Sequence, residues 1–322
     1  MNAFLDSKQL LCKGMSFIAS YLKLSRFELW NRVALAEGIL THCSLCPRNC
    51  DVDRTSGDVG FCRTGDKPFI ASWGAHFGEE RPLVGPSYIN AGSGTIFFSN
   101  CNLRCIYCQN WTISHLSEGS ESSFERLASI MMDLQRTGCL NINLVTPSHQ
   151  MPMILHSLAI ATDMGLTLPI VYNCGGYEST ESLKILDGII DIYMPDFKYS
   201  DSQIALTYSK AKNYPQTARG AIKEMHRQVG DLLIDQSGVA LRGLLLRHLI
   251  LPDNSAGTEE VVRFIAEEIS KDTYINIMRQ YHPCHKAFNH PPLDRKIMKR
   301  EYNKAIKMAL DTGLRRIDGV TV

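Results

Sequence analysis

From Thr95 onward one unit recurs: a short apolar run, a turn, then an amphipathic stretch. The apolar runs span residues 95–99, 141–145, 169–172, 189–194, 244–249 and 274–278. Each is short and followed by turn residues, the pattern of a strand. The stretches between them read as helices, clearest at residues 124–136, 153–164, 258–269 and 295–310. Thr258 followed by Glu259 and Glu260 is a helix start with acids in its first turn. Six strands alternating with helices predict an α/β fold with a parallel sheet and right-handed crossovers. An open partial barrel and a doubly wound sheet both satisfy that count.

The chain before Thr95 is different. The first forty residues read as helical, with apolar positions at three- and four-residue steps from Phe17 through Leu40. Residues 43–62 are polar and turn-rich, with Pro47, Gly57 and Gly60, too short and too polar to build a core of their own. Residues 74–94 read as a long Gly/Pro-rich loop. The expected division is therefore 1–90, a helical and cysteine-rich metal-binding module, and 91–322, the α/β domain. Charge adds an exclusion: 34 Lys+Arg against 33 Asp+Glu argue against a nucleic-acid binder relying on overall basic charge. No apolar run reaches the roughly 18–20 residues of a membrane span. The first residues lack the pattern of a secretory signal, so a cytoplasmic location is expected.

Chemistry concentrates in the eleven cysteines, which cluster as metal ligands do. Cys101, Cys105 and Cys108 form C-x3-C-x2-C directly after the first expected strand, where parallel α/β folds place functional loops. Three thiolates suit a cubane iron–sulfur cluster, and being one short of four they leave an iron open to a small molecule. The bland alternative is a three-cysteine zinc site completed by a histidine such as His115. Cys43, Cys46, Cys50 and Cys62 form a second constellation of four thiols within about twenty residues. Zinc and a second 4Fe–4S cluster both fit it, and zinc or another structural role is the preferred reading.

The segment Gly94-Thr-Ile-Phe-Phe-Ser-Asn-Cys-Asn-Leu-Arg-Cys-Ile-Tyr-Cys-Gln-Asn110 resembles the cluster loop of radical S-adenosylmethionine enzymes, in particular proteins related to the pyruvate formate-lyase activating enzyme. The resemblance runs from about Cys43 to about Gly313. It implies a partial (β/α)6 TIM-like barrel with a cysteine-rich N-terminal extension. It also implies a 4Fe–4S cluster on Cys101, Cys105 and Cys108, whose fourth iron chelates S-adenosylmethionine. Reductive cleavage would then give a 5′-deoxyadenosyl radical for hydrogen abstraction. By the same resemblance the substrate is a glycine Cα in a glycyl-radical enzyme, and the electron donor a flavodoxin or ferredoxin. The rival readings are modification of another protein, peptide or small metabolite, and a non-catalytic metal-binding adaptor.

Further residues carry over from the resemblance as cofactor contacts. Tyr107 resembles the aromatic near the adenine. Asp196 and Lys198 resemble an Asp-x-Lys segment, Arg247 the arginine near the cofactor carboxylate, and His282 a cofactor-contacting histidine. Asn173 and Gly175 stand where relatives carry Asp-Thr-Asn-Gly, and Gly175 with Gly176 would let backbone approach the ribose. Where relatives have Gly-Gly-Glu, this chain reads Val145-Thr-Pro-Ser-His149 and has no acid. Of the other cysteines, Cys12 and Cys139 read as small buried hydrophobes, and Cys174 as a neighbour of the site. His282, Cys284, His285 and His290 are too irregularly spaced to argue for another metal, and Glu79 and Glu80 read as a solvated loop tip in preference to a substrate contact.

Overall fold

The computed structural model describes residues 17–86 and 91–320, so Cys12 lies outside the described residues. The strands are β1 (Phe69–His76), β2 (Ser93–Phe98), β3 (Ser120–Glu121), β4 (Ile142–Val145), β5 (Ile170–Cys174), β6 (Ile192–Pro195), β7 (Leu233–Ile234), β8 (Ala240–Leu249), β9 (Tyr274–Met278) and β10 (Arg316–Ile317). The helices are α1 (Arg26–Gly38), α2 (Arg81–Val84), α3 (Trp111–His115), α4 (Phe124–Arg136), α5 (Met151–Asp163), α6 (Thr180–Ile185), α7 (Ser202–Ser209), α8 (Tyr214–Val229), α9 (Thr258–Phe264) and α10 (Lys299–Asp311).

The strands form one sheet in the order β10-β9-β8-β6-β5-β4-β2-β1-β3, with β7 on β8. Every pair from β2 to β10 along this path is parallel, whereas β1 runs antiparallel to β2 and β3. The parallel strands follow one another in chain order without a reversal. A doubly wound sheet needs such a reversal, so the sheet winds in one direction, as a barrel does. Among the described residues its two ends do not pair, and the barrel is partial. The expected six parallel strands are β2, β4, β5, β6, β8 and β9.

The central strands are apolar because both faces are covered. All residues of β5 and β6 are buried, as parallel sheets flanked by helices require. α4 packs on α5, and α5 on α1. α1 is started by a capping box, in which Ser25 and Glu28 exchange hydrogen bonds. Arg26 and Glu37 then tie it to Asp163 and His156 of α5. Residues on either side of position 90 thus share one sheet through β1 and β2. The expected helix over 258–269 divides into α9 and a wider π-turn at Ile265–Ile269. No helix among the described residues is long and apolar enough to cross a membrane.

Candidate functional site

The loop after β2 carries three thiols. Asn100 and Arg104 adopt left-handed conformations (φ 71° and 52°), so the chain turns sharply twice. Cys101, Cys105 and Cys108 thereby reach the wall of one cavity of about 340 Å³. Each sulfur accepts a hydrogen bond. The Leu103 amide donates to Cys101 at 3.3 Å, the Ser209 hydroxyl to Cys105 at 3.0 Å, and the Ser114 hydroxyl to Cys108 at 3.2 Å. Such donors orient metal-bound thiolates and tune the metal they hold. Burial pushes the Cys101 thiol up to about 12 and raises that of Cys108, with Cys105 adding to both. A bound cationic centre is what converts thiols so placed to thiolates.

The opposite wall comes from the C-terminal ends of the neighbouring parallel strands. Val145 and Thr146 follow from β4, Asn173, Cys174 and Gly175 from β5, Asp196 and Lys198 from β6, and Arg247 from β8. Asp196 binds both cations: Lys198 Nζ donates to Oδ2 at 2.6 Å and Arg247 Nε to Oδ1 at 2.8 Å. Arg247 Nη2 also donates to Asn173 Oδ1 at 2.7 Å. Burial alone would raise the Asp196 carboxyl, but Arg247 and Lys198 outweigh it and hold it below its ordinary value. Burial likewise opposes charge on Lys198 and Arg247, and Asp196 prevails in raising both. The cavity wall therefore carries fixed charge at neutral pH.

Glu79 and Glu80 are not a solvated tip. β1, paired with β2 and at its start with β3, runs to His76, and the residues just after it reach the cavity wall. Glu79 lines the cavity and accepts from His76 at 3.1 Å, and burial raises its pKa. Glu80 is buried, with Oε1 3.7 Å from Arg247 Nη1 and 3.2 Å from Asn276 Nδ2. Arg247, Asn276 and His76 hold the two carboxylates there, and a local reading of a polar dipeptide does not see these distant partners.

Other expected contacts fall elsewhere. Tyr107 is buried edge-on against Tyr199, Tyr208 and Tyr281, with ring centroids 5.9–6.3 Å apart. It walls an adjoining cavity of about 230 Å³ that shares Cys105, Cys108, Asp196, Lys198 and Arg247 with the first. His282 lines neither cavity: it is exposed and meets Gln109 at 3.2 Å. A Cβ on Gly175 would come within 2.7 Å of Leu103, so this glycine accommodates the thiol loop itself. Cys174 lines the cavity and Cys139 sits in the core. The four N-terminal cysteines wall a separate small pocket.

Among the described residues no three His, Cys, Asp or Glu side chains converge as one metal ion requires. His115, the histidine that would complete a zinc site with the loop thiols, has its Nε2 against the Cys105 carbonyl at 3.1 Å. Thiols that share a cavity without converging fit a cluster, in which each sulfur binds a different iron.

No family model matches the chain. An uncharacterized protein of Methanocaldococcus jannaschii is 31% identical over 297 residues, covering 90% of this chain and 80% of that one. The chain belongs to that protein's family. A second uncharacterized protein of the same organism is 22% identical over 285 residues, covering 83% of this chain and 78% of that one. Two solved structures are similar at 12% identity. One is a radical SAM methyltransferase from Sphaerobacter thermophilus (TM-score 0.49, 70% of this chain and 65% of that chain, less than two thirds of its length). The other is methylornithine synthase (TM-score 0.44, 95% of this chain and 83% of that chain).

Two residues that hydrogen-bond the loop sulfurs carry no sequence signal. Ser209 lies more than a hundred residues from Cys105, and Ser114 is one serine among many until the loop folds. Thr146 lines the cavity in a left-handed conformation (φ 61°), and its amide donates to the Asn173 carbonyl at 2.9 Å.

Proposed function

We propose that this chain is a radical S-adenosylmethionine enzyme. One observation carries the reading: Cys101, Cys105 and Cys108 follow the first parallel strand and share a cavity with the Asp196–Lys198–Arg247 network at the ends of neighbouring strands. The three thiolates would hold a 4Fe–4S cluster, which when bound supplies one electron to the sulfonium and so yields methionine and a 5′-deoxyadenosyl radical. Arg247 and Lys198 present positive charge to the cofactor carboxylate. Glu79 presents the carboxylate that the 145–149 segment lacks, and so offers a counter-charge to the cofactor ammonium.

The substrate reading rests on the thiol-loop resemblance: a glycine Cα of a glycyl-radical enzyme, with electrons from a flavodoxin or ferredoxin. A second reading, modification of another protein, peptide or metabolite, is favoured by the missing Gly-Gly-Glu and by a four-cysteine module that precedes the thiol loop. Anaerobically reconstituted protein given dithionite and S-adenosylmethionine should release 5′-deoxyadenosine. Release no faster than from Cys105→Ala would sink the enzyme reading. A glycyl-radical EPR signal in a co-incubated partner separates the two substrate readings.

A further inference from the structure

Cations gather around the outer side of the thiol loop. Arg104 stands inside the loop, with its guanidinium carbon 5.8 Å from the centre of the Phe61 ring. Arg48 covers the same ring at 3.8 Å, and its Nη1 donates to the Lys210 carbonyl. The Arg63 carbonyl accepts from Asn100, the residue before Cys101, at 3.4 Å. Burial lowers the Arg104 pKa, and the Arg63 charge lowers it further. On the other flank the Lys286 amide donates to the Ile106 carbonyl at 2.9 Å. Burial lowers the pKa of the neighbouring His285, and the charges of Lys286 and Arg104 add to this.

None of Arg48, Arg63, Arg104, Lys210 and Lys286 forms an ion pair among the described residues. Elsewhere on the surface Arg26, Arg227, Arg295 and Arg315 each hold a carboxylate. Asn102, Ser209 and Lys210 offer Arg48 only carbonyls, which hold a guanidinium without cancelling its charge. The whole chain carries a net charge of +1, so these uncompensated cations make a local positive field. Arg48 and Arg63 line neither cavity, so their charge is not spent on what the cavities hold. The face adjoins the thiols, since Ile106, next to Cys105, is partly exposed. Phe288, two residues past Lys286, is 62% exposed, and arginines beside an aromatic ring are what protein interfaces favour.

We propose that this face docks a small acidic one-electron carrier protein, with Arg48 and Arg63 of the cysteine module supplying part of the attraction. The proposal rests on the radical reading above: each cleavage consumes one electron, and the carrier supplies it while being oxidised by one electron. The field both speeds the approach of an acidic partner and fixes its orientation. A nucleic acid would meet the same charge but would deliver no electron to the thiols behind it.

The test titrates a flavodoxin against the anaerobically reconstituted chain and reads binding from the flavin fluorescence. Binding should weaken about tenfold or more between about 0.05 M and about 0.5 M salt. Arg63→Glu/Lys286→Glu should weaken it about tenfold or more at low salt, and should leave dithionite-driven release of 5′-deoxyadenosine unchanged. Lys23 and Lys271 stand at the other end of the barrel. Lys271 comes just before β9, and Lys23 three residues after Ser20, whose amide donates to Asp191 before β6. Lys23→Glu/Lys271→Glu removes as much charge and should leave binding unchanged. No binding, equal weakening by the two pairs, or an RNA oligonucleotide held more tightly than the flavodoxin would overturn the proposal. Should the first pair not fold when reversed, Arg63→Gln/Lys286→Gln should give a smaller loss, and no loss would equally overturn it. If binding behaves as expected and dithionite yields no 5′-deoxyadenosine, the radical reading fails and the docking face remains. The reverse outcome removes the face alone.

Discussion

Glu178 is fully buried between two strand-end loops, accepting hydrogen bonds from Ser148 and from the Tyr172 hydroxyl at 3.2 Å. Burial raises its pKa from 4.5 to about 6 despite those donors. Below about pH 4.5 this carboxyl is protonated in both folded and unfolded chains, and its contribution to stability is complete. As the pH rises toward 6 the unfolded chain releases the proton first, so stability falls. The loss amounts to roughly 2 kcal/mol and levels off above pH 6. Glu178→Gln should therefore gain stability relative to wild type between pH 4.5 and 6.5, measured by urea unfolding at each pH. Parallel curves for the two proteins would show that the carboxyl is not strained by burial.

At the scale of elements, the loops after β5 and β6 press against each other. Gly176 (φ 75°) lies so close to Asp196 that a Cβ would stand 2.2 Å from its backbone carbonyl oxygen. Gly176→Ala should cost about 3 kcal/mol, combining left-handed strain with a backbone collision that no rotamer relieves. It should also loosen the Asp196–Lys198–Arg247 network. Equal unfolding midpoints would refute this. The elements themselves were legible to different degrees. β9 matches its expected bounds and α4 does too, because a buried strand and an amphipathic helix each leave a periodic trace. The end of β1 falls inside the expected 74–94 loop, since an antiparallel strand with a half-exposed face mixes polar and apolar residues without clear alternation. The thiols and the Asp196–Lys198 pair were visible as short-range spacing. Glu79 and Ser209 were not, because what brings them to the site is tertiary packing.

On the scale of the whole molecule, Arg48 fastens the cysteine module to the barrel. It donates to the carbonyls of Asn102 at 2.8 Å, Ser209 at 2.8 Å and Lys210, and its guanidinium stacks 3.8 Å over the Phe61 ring. Arg48→Ala should release the module without unfolding the barrel. Amide exchange over residues 43–65 should rise by about tenfold or more while the central strands stay protected. A uniform rise across the sheet would show that module and barrel melt as one unit. Arg48 and its Ser209 acceptor are 161 positions apart in the chain. At 5–20 residues per second the ribosome needs roughly 8–30 s to make the second after the first. Throughout that interval the nascent thiols at 43–62 have no barrel to shelter them, so maturation of this segment is a race between cofactor delivery and oxidation. Alkylation of Cys46 in stalled chains ending before and after Ser209 would time its outcome.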